Sequence, residues 1–314
     1  MSHVNTMNGK VDADDLGFTL MHEHLFVFSW SMRRAFPAWL DRQAVINQAV
    51  CDLQAAYDSG VRTLVDCTAI NLGRDVHMMQ AIAERSPVTI VASGGLYWTE
   101  EPWLTNWEPE AIFDWLMQDL QGMEGTGIRP VIIKCGTDRL GVTELNRKLL
   151  QVTARLQRAT GLPITTHTTI ANRSALDQLD IFAAEGVNMA RVVIGHCGDT
   201  DDIEMLEEIL ARGSFIGMDR FRPQHAFPTE KRVAVIAELC RRGYADRLVL
   251  SHDTDVASDF HRYKRPSSQQ PAVPLRVYCY IPDVVLPALR AAGVAEEHIW
   301  QMTVANPRRI LSLD

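Results

Sequence analysis

Eight short apolar runs alternate with eight amphipathic segments, and this repeat constrains the fold more than any other feature of the chain. The runs span residues 18–21, 63–66, 89–92, 131–134, 163–166, 191–195, 215–218 and 248–251, and are rich in Val, Ile, Leu and Thr. Strands buried on both faces read this way, because a parallel sheet is covered on each side. The segments between them, 42–59, 75–85, 109–123, 143–160, 174–185, 201–212, 230–242 and 281–292, have helical spacing. In the first, Val45, Ala49, Leu53 and Ala56 recur every three to four residues and Gly60 marks the stop. Gly161, Gly186, Gly213, Gly243 and Gly293 close others, in the place where glycine takes a left-handed conformation after a helix.

Eight strand-then-helix units without a phosphate-binding glycine fingerprint favour a closed (β/α)8 TIM barrel over a doubly wound open sheet. At 314 residues, with no linker or low-complexity segment, residues 1–314 are expected to form a single domain. The longest irregular piece, 254–280, follows the eighth strand and is long enough to act as a lid.

Composition narrows the function. The net charge of −8 disfavours nucleic-acid binding, which needs a basic face. The six cysteines are scattered without a C-x-x-C pair and read as reduced thiols. The polar N-terminus lacks the apolar core of a signal peptide, and no apolar run is long enough to span a membrane. A cytoplasmic, soluble protein is expected.

The chemistry-bearing residues fall at the ends of the runs. His22 and His24 end the first, Lys134 the fourth, His167 the fifth, His196 the sixth and Asp253 the eighth. All six are expected at C-terminal strand ends, the face where barrel active sites assemble. His22 and His24 lie two apart, so on a strand they share a face and can aim at one cation. Any one of these histidines alone reads as a hydrogen-bonded structural residue; their convergence favours ligands. Lys134 ends the run Val131-Ile132-Ile133, where an ammonium is costly. Two readings stand open for it. A neutral amine can add carbon dioxide to give a carbamate able to bridge two metals; alternatively, the side chain extends to the strand end and binds a substrate anion. Imidazoles and carboxylates suit Zn, Mn, Fe or Co better than Mg or Ca. Two such ions can acidify a shared water and polarise a carbonyl or phosphoryl oxygen.

Six segments together resemble the phosphotriesterase-like lactonases of the amidohydrolase superfamily. They are Gly17-Phe18-Thr19-Leu20-Met21-His22-Glu23-His24, Ile133-Lys134-Cys135, Thr165-Thr166-His167-Thr168, Ile194-Gly195-His196-Cys197-Gly198-Asp199, Gly217-Met218-Asp219-Arg220-Phe221 and Leu250-Ser251-His252-Asp253. The resemblance implies a dimeric barrel with two divalent metals bridged by N6-carboxylysine at Lys134 and a hydroxide. His22, His24 and Asp253 would hold the buried metal, and His167 and His196 the exposed one. The implied activity is opening of lactones by that hydroxide, with promiscuous phosphotriesterase and arylesterase activity. Tyr97 matches the family tyrosine beside the metals. Arg220 stands where the lactonase branch carries arginine and the phosphotriesterases proper carry histidine. Without the resemblance, these two read as a packing aromatic and an ion pair with Asp219 or a neighbour. Asp199 is a candidate proton relay or an ordinary helix N-cap.

Substrate choice is expected in the loops. Phe26, Phe28, Trp30, Trp98 and Trp103 suggest an apolar pocket wall or simple packing between loops. Arg262, Lys264 and Arg265 form either a solvated lid surface or a contact for a phosphorylated sugar lactone. Val273, Pro274 and Leu275 suit the greasy channel of an acyl-homoserine lactone, the favoured reading. A dedicated organophosphate triesterase, an amide-bond hydrolase or deaminase of the same superfamily, and a non-catalytic ligand-binding barrel are the alternatives.

Overall fold

The eight apolar runs become eight parallel strands of one sheet: β1 Thr19–Glu23, β2 Thr63–Asp66, β3 Thr89–Gly95, β4 Ile132–Gly136, β5 Ile164–His167, β6 Val192–Ile194, β7 Phe215–Met218 and β8 Leu248–Leu250. They pair in chain order, each parallel to the next. The computed structural model describes residues 2–99, 101–223, 225–259 and 276–313. The lid residues Arg262, Lys264, Arg265, Val273, Pro274 and Leu275 lie outside the described residues.

The sheet rolls round until its first and last strands meet near their C-terminal ends. The His22 amide donates to Ser251 Oγ at 2.8 Å, Asp253 N donates to the His22 carbonyl at 3.1 Å, and His24 N donates to the Thr254 carbonyl at 2.9 Å. Helices follow the strands: α1 Arg42–Asp58, α2 Val76–Ala83, α3 Pro109–Gln121, α4 Glu144–Thr160, α5 Ser174–Ala184, α6 Ile203–Ala211, α7 Thr229–Arg241 and α8 Leu286–Ala291, the last entered through a π-helical turn, Ile281–Val285. Asp41, Asp75, Thr143 and Asp202 cap α1, α2, α4 and α6, each side chain accepting from the backbone N–H three residues on. No described helix is long and apolar enough to cross a membrane.

Side chains alternate between two cores with period two. Val65, Val91, Val193, Phe215 and Val249 pack inside the barrel with Val4, Leu16, Ile310 and Leu311, so both chain termini contribute to the inner core. Their neighbours Leu64, Ile90, Ile194, Ile216 and Leu250 pack outward against the helices.

That alternation decides which residues reach the barrel mouth. Lys134 and His167 follow the inward parity of Ile132 and Thr165. In β1, however, Met21 belongs to the inner core, so simple alternation would turn His22 outward. A bulge between Leu20 and Glu23 resets the register and brings His22 back toward the axis. β1 also runs two residues further than the sequence suggests, carrying His22 within the strand. His196 likewise follows the outward-facing Ile194, and a left-handed backbone (φ 64°) swings its ring inward. Such a conformation is costly for a residue with a Cβ and persists only where its surroundings hold it.

Candidate metal centre

Four imidazoles meet at the barrel mouth, three with a nitrogen hydrogen-bonded to an oxygen acceptor and the fourth, His167, turned toward one. His22 Nδ1 donates to Asp219 Oδ2 at 3.0 Å and His196 Nδ1 to Asp219 Oδ1 at 2.9 Å. The Thr68 hydroxyl donates to the Phe26 carbonyl at 3.3 Å and so accepts from His24 Nδ1 at 2.9 Å. His167 turns Nε2 toward Asp138 Oδ1 at 3.6 Å. The three hydrogen bonds assign the tautomers of His22, His24 and His196, since an ionised carboxylate can only accept. Their remaining nitrogens, all Nε2, keep their lone pairs, and His167 Nδ1 faces His196 Nε2.

The geometry suits cations in the gaps. His196 Nε2 lies 2.8 Å from His167 Nδ1, and Lys134 Nζ lies 2.7 Å from His22 Nε2. The His196–His167 pair at that separation needs a proton or a cation beside it, and the Lys134–His22 contact is an ordinary hydrogen-bond distance. His22, His24 and Asp253 offer donor atoms within 4.8 Å of one another, with Asp253 Oδ1 3.7 Å from His22 Nε2 and 3.4 Å from His24 Nε2. Histidines oriented by oxygen acceptors behind them, with inward lone pairs and a carboxylate, are the donor set that divalent transition metals take. The residues present fit the group.

Electrostatics agree. Burial pushes His22 and His196 below the ordinary imidazole range and His167 down to about 4, so all three stay neutral and able to ligate. Burial alone would raise Asp219 and Asp253. The imidazoles facing them, with Arg220 beside Asp253, outweigh that and hold both well below the usual carboxylate range. Lys134 is fully buried at the foot of the site.

The other expected residues line this centre. The Tyr97 hydroxyl is 3.2 Å from His167 Nδ1, and burial raises its pKa so that it stays a phenol. Arg220 pairs not with its neighbour Asp219 but with Asp253, Nε to Oδ2 at 3.0 Å, and with Asp199, Nη1 to Oδ2 at 2.9 Å. Asp199 also accepts from the buried Arg232 at 2.6 Å. It reaches Asp253 only through a guanidinium, which keeps its protons at any ordinary pH.

Glu23, between the two histidines, is expected to point away from the site toward the helical shell. It is fully buried beside the end of β8, where Oε1 accepts from Ser251 Oγ at 2.7 Å, His252 N at 2.8 Å and His252 Nδ1 at 2.6 Å. The His252 ring accepts from Ile281 N at 2.9 Å through its other nitrogen, which ties the end of β8 to the helix that follows.

The aromatic wall separates into two parts. Phe26 and Phe28 stack at 5.9 Å and are core residues. Trp98 lies against Tyr97, with ring centroids 5.5 Å apart. Trp30 and Trp103 line a cavity of about 470 Å³ with Leu96 and Trp115, and it includes none of the six candidate ligands. Asp219, Thr68 and Asp138 were not singled out from sequence. Of these, Asp219 carried a signal, since it closes the seventh apolar run as the ligands close theirs.

A parallel barrel that turns oriented imidazoles and a carboxylate into its mouth defines a TIM-barrel hydrolase with a site able to hold metal. The chain belongs to the phosphotriesterase family, whose model matches residues 2–311. It is 40% identical to the phosphotriesterase homology protein of Mycobacterium tuberculosis, covering 99% of this chain and 98% of that one. It is 32% identical to the aryldialkylphosphatase of Saccharolobus solfataricus, covering 96% and 97%. The structure of the phosphotriesterase from Mycobacterium tuberculosis superposes with a TM-score of 0.92 at 40% identity over 98% of each chain.

Proposed function

We propose that the chain is a binuclear-metal lactonase with promiscuous phosphotriesterase and arylesterase activity. The observation that carries this reading is the pairing of Tyr97 and Arg220 across the imidazole cluster, one on His167 and the other on Asp253. His22, His24 and Asp253 would hold one ion, His167 and His196 the other, and a carboxylated Lys134 would bridge them. When bound, the pair supplies an acidified water and a Lewis acid for the scissile carbonyl.

The chain's own residues do the rest. The Tyr97 phenol keeps its proton and donates it as a hydrogen bond to the substrate's ester oxygen. Arg220 holds Asp253 Oδ2, which leaves Oδ1 aimed at His22 and His24. Burial lowers the pKa of Arg220, but Asp253 and Asp199 outweigh that and raise it, so the guanidinium stays charged beside a developing oxyanion. Asp199 and Arg232 position Arg220 from behind. The aryldialkylphosphatase relative supports the secondary phosphotriesterase activity.

Metal analysis combined with proton release over a panel of lactones, aryl esters and paraoxon tests this reading. Lactones are expected to turn over faster than paraoxon. Metal-free protein that stays inert toward every lactone after addition of Zn, Co or Mn would refute it. We further infer a homodimer docked through exposed Trp30, Phe36, Trp103 and Trp115, which line two neighbouring hollows. A monomer in sedimentation would refute that contact.

A further inference from the structure

A second arginine after β7, Arg222, has no part in the centre described so far. Its Nε donates to the His252 carbonyl at 3.2 Å and its Nη2 to Asp253 Oδ2 at 3.2 Å. That oxygen also accepts from Arg220 Nε at 3.0 Å. Two guanidiniums therefore lie side by side on the outer oxygen of the carboxylate whose inner oxygen faces His22 and His24. The Arg222 side chain is 41% exposed and that of Arg220 21%, so both reach the open mouth of the site. Arg222 Nη1 and Arg220 Nη2 have no hydrogen-bond partner among the described residues.

Local charge gives the sign of what these donors can meet. In the ion-paired group at the rim, three guanidiniums (Arg220, Arg222 and Arg232) meet two carboxylates (Asp199 and Asp253). The N–H groups left over at Arg220 and Arg222 therefore suit an anion. The fork of N–H groups on a guanidinium matches the two oxygens of a carboxylate.

We propose that Arg220 and Arg222 form a carboxylate clamp, so that the preferred substrate is a lactone or ester bearing a carboxylate close to the bond that opens. This rests on the hydrolase reading of the same centre and names its substrate class. Arg222 is the specificity-determining half, because Arg220 is already committed to both Asp253 and Asp199.

The test uses metal-loaded protein and two ring ethers that cannot be hydrolysed, tetrahydrofuran-2-carboxylate and tetrahydrofurfuryl alcohol, titrated by calorimetry. Turnover of butyrolactone with and without a ring carboxylate is measured beside them. The carboxylate is expected to bind about tenfold more tightly than the alcohol, as a charge-assisted pair of hydrogen bonds implies. Arg222→Gln should remove most of that preference and Arg222→Lys should restore part of it, at equal metal content. In the unaltered protein the preference should also shrink in about 0.5 M salt. Equal binding of the two ethers, or an undiminished preference in Arg222→Gln, overturns the clamp. Carboxylate-selective binding that depends on Arg222, with no turnover of either lactone, overturns the hydrolase reading and leaves the clamp standing.

Discussion

Asp219 joins the two halves of the proposed centre, and replacing it by asparagine separates them. Its Oδ1 accepts from both the backbone N–H and Nδ1 of His196, at 2.8 and 2.9 Å, while among the described residues Oδ2 accepts only from His22 Nδ1, at 3.0 Å. In Asp219→Asn the amide oxygen takes the place with two donors, and the amide NH2 is left facing His22. An NH2 group donates, so His22 Nδ1 must accept and its proton moves to Nε2. That nitrogen is the one turned toward Lys134 and Asp253, and once protonated it has no lone pair for a cation. Loss of such support behind a ligating histidine weakens metal binding roughly 10–100-fold, or about 1.4–2.7 kcal/mol. The wrong tautomer argues for the upper end. His24 and Asp253 keep their partners, so binding is weakened rather than abolished. Stepwise Zn or Co affinities from competition with a chromophoric chelator should show one affinity falling by that factor and the other changing by less than about threefold. Two wild-type affinities would refute the tautomer argument. An equal fall in both would show that Asp219 acts through general destabilisation instead.

Three further outcomes follow from the same geometry. Lys134→Ala should lower metal content and activity, with partial rescue by a short carboxylic acid plus metal; a wild-type-like mutant removes the carbamate. Gly195→Ala places a Cβ against the Thr166 carbonyl oxygen, a rigid backbone atom of β5. It should cost about 3 kcal/mol or more in urea unfolding, and a loss under about 1 kcal/mol would show that β5 and β6 can separate there. In chelator-stripped protein, burial holds His167 at about 4 against about 6.5 unfolded, so the unfolded chain takes up the proton first. Stability should fall as pH drops from about 6.5 toward about 4, by about 2 kcal/mol at pH 5 from this group, with His22 and His196 acting in the same direction. An unfolding midpoint that is flat between pH 7 and 5 would refute it.

The barrel was legible in the chain because its strands are buried on both faces and its helices on one. That contrast writes itself into residue type and period. The positions of Lys134, His167 and Asp253 were legible too, since each closes a run whose next residues must leave the sheet at the mouth. The ends of elements were less so: β1 continues to Glu23 and α7 starts at Thr229 rather than Glu230. Pairing with β2, which no local pattern encodes, carries β1 to Glu23.

The sequence by itself therefore determined that a parallel barrel forms and that His22, His24, Lys134, His167, His196 and Asp253 gather near one end of it. Only the tertiary structure decided how they meet. Plain alternation would have turned His22 and His196 away from the axis; a bulge in β1 and a left-handed residue after β6 turn them back. Asp219 becomes the shared acceptor because β7 lies beside β6 and the closed sheet brings β1 within reach across the barrel. Arg222 joins Arg220 on Asp253 because the loop after β7 lies against the end of β8. Period and composition record which face of an element is buried, whereas a shared acceptor, a reset register and two converging charges exist only once distant segments of the chain are in contact.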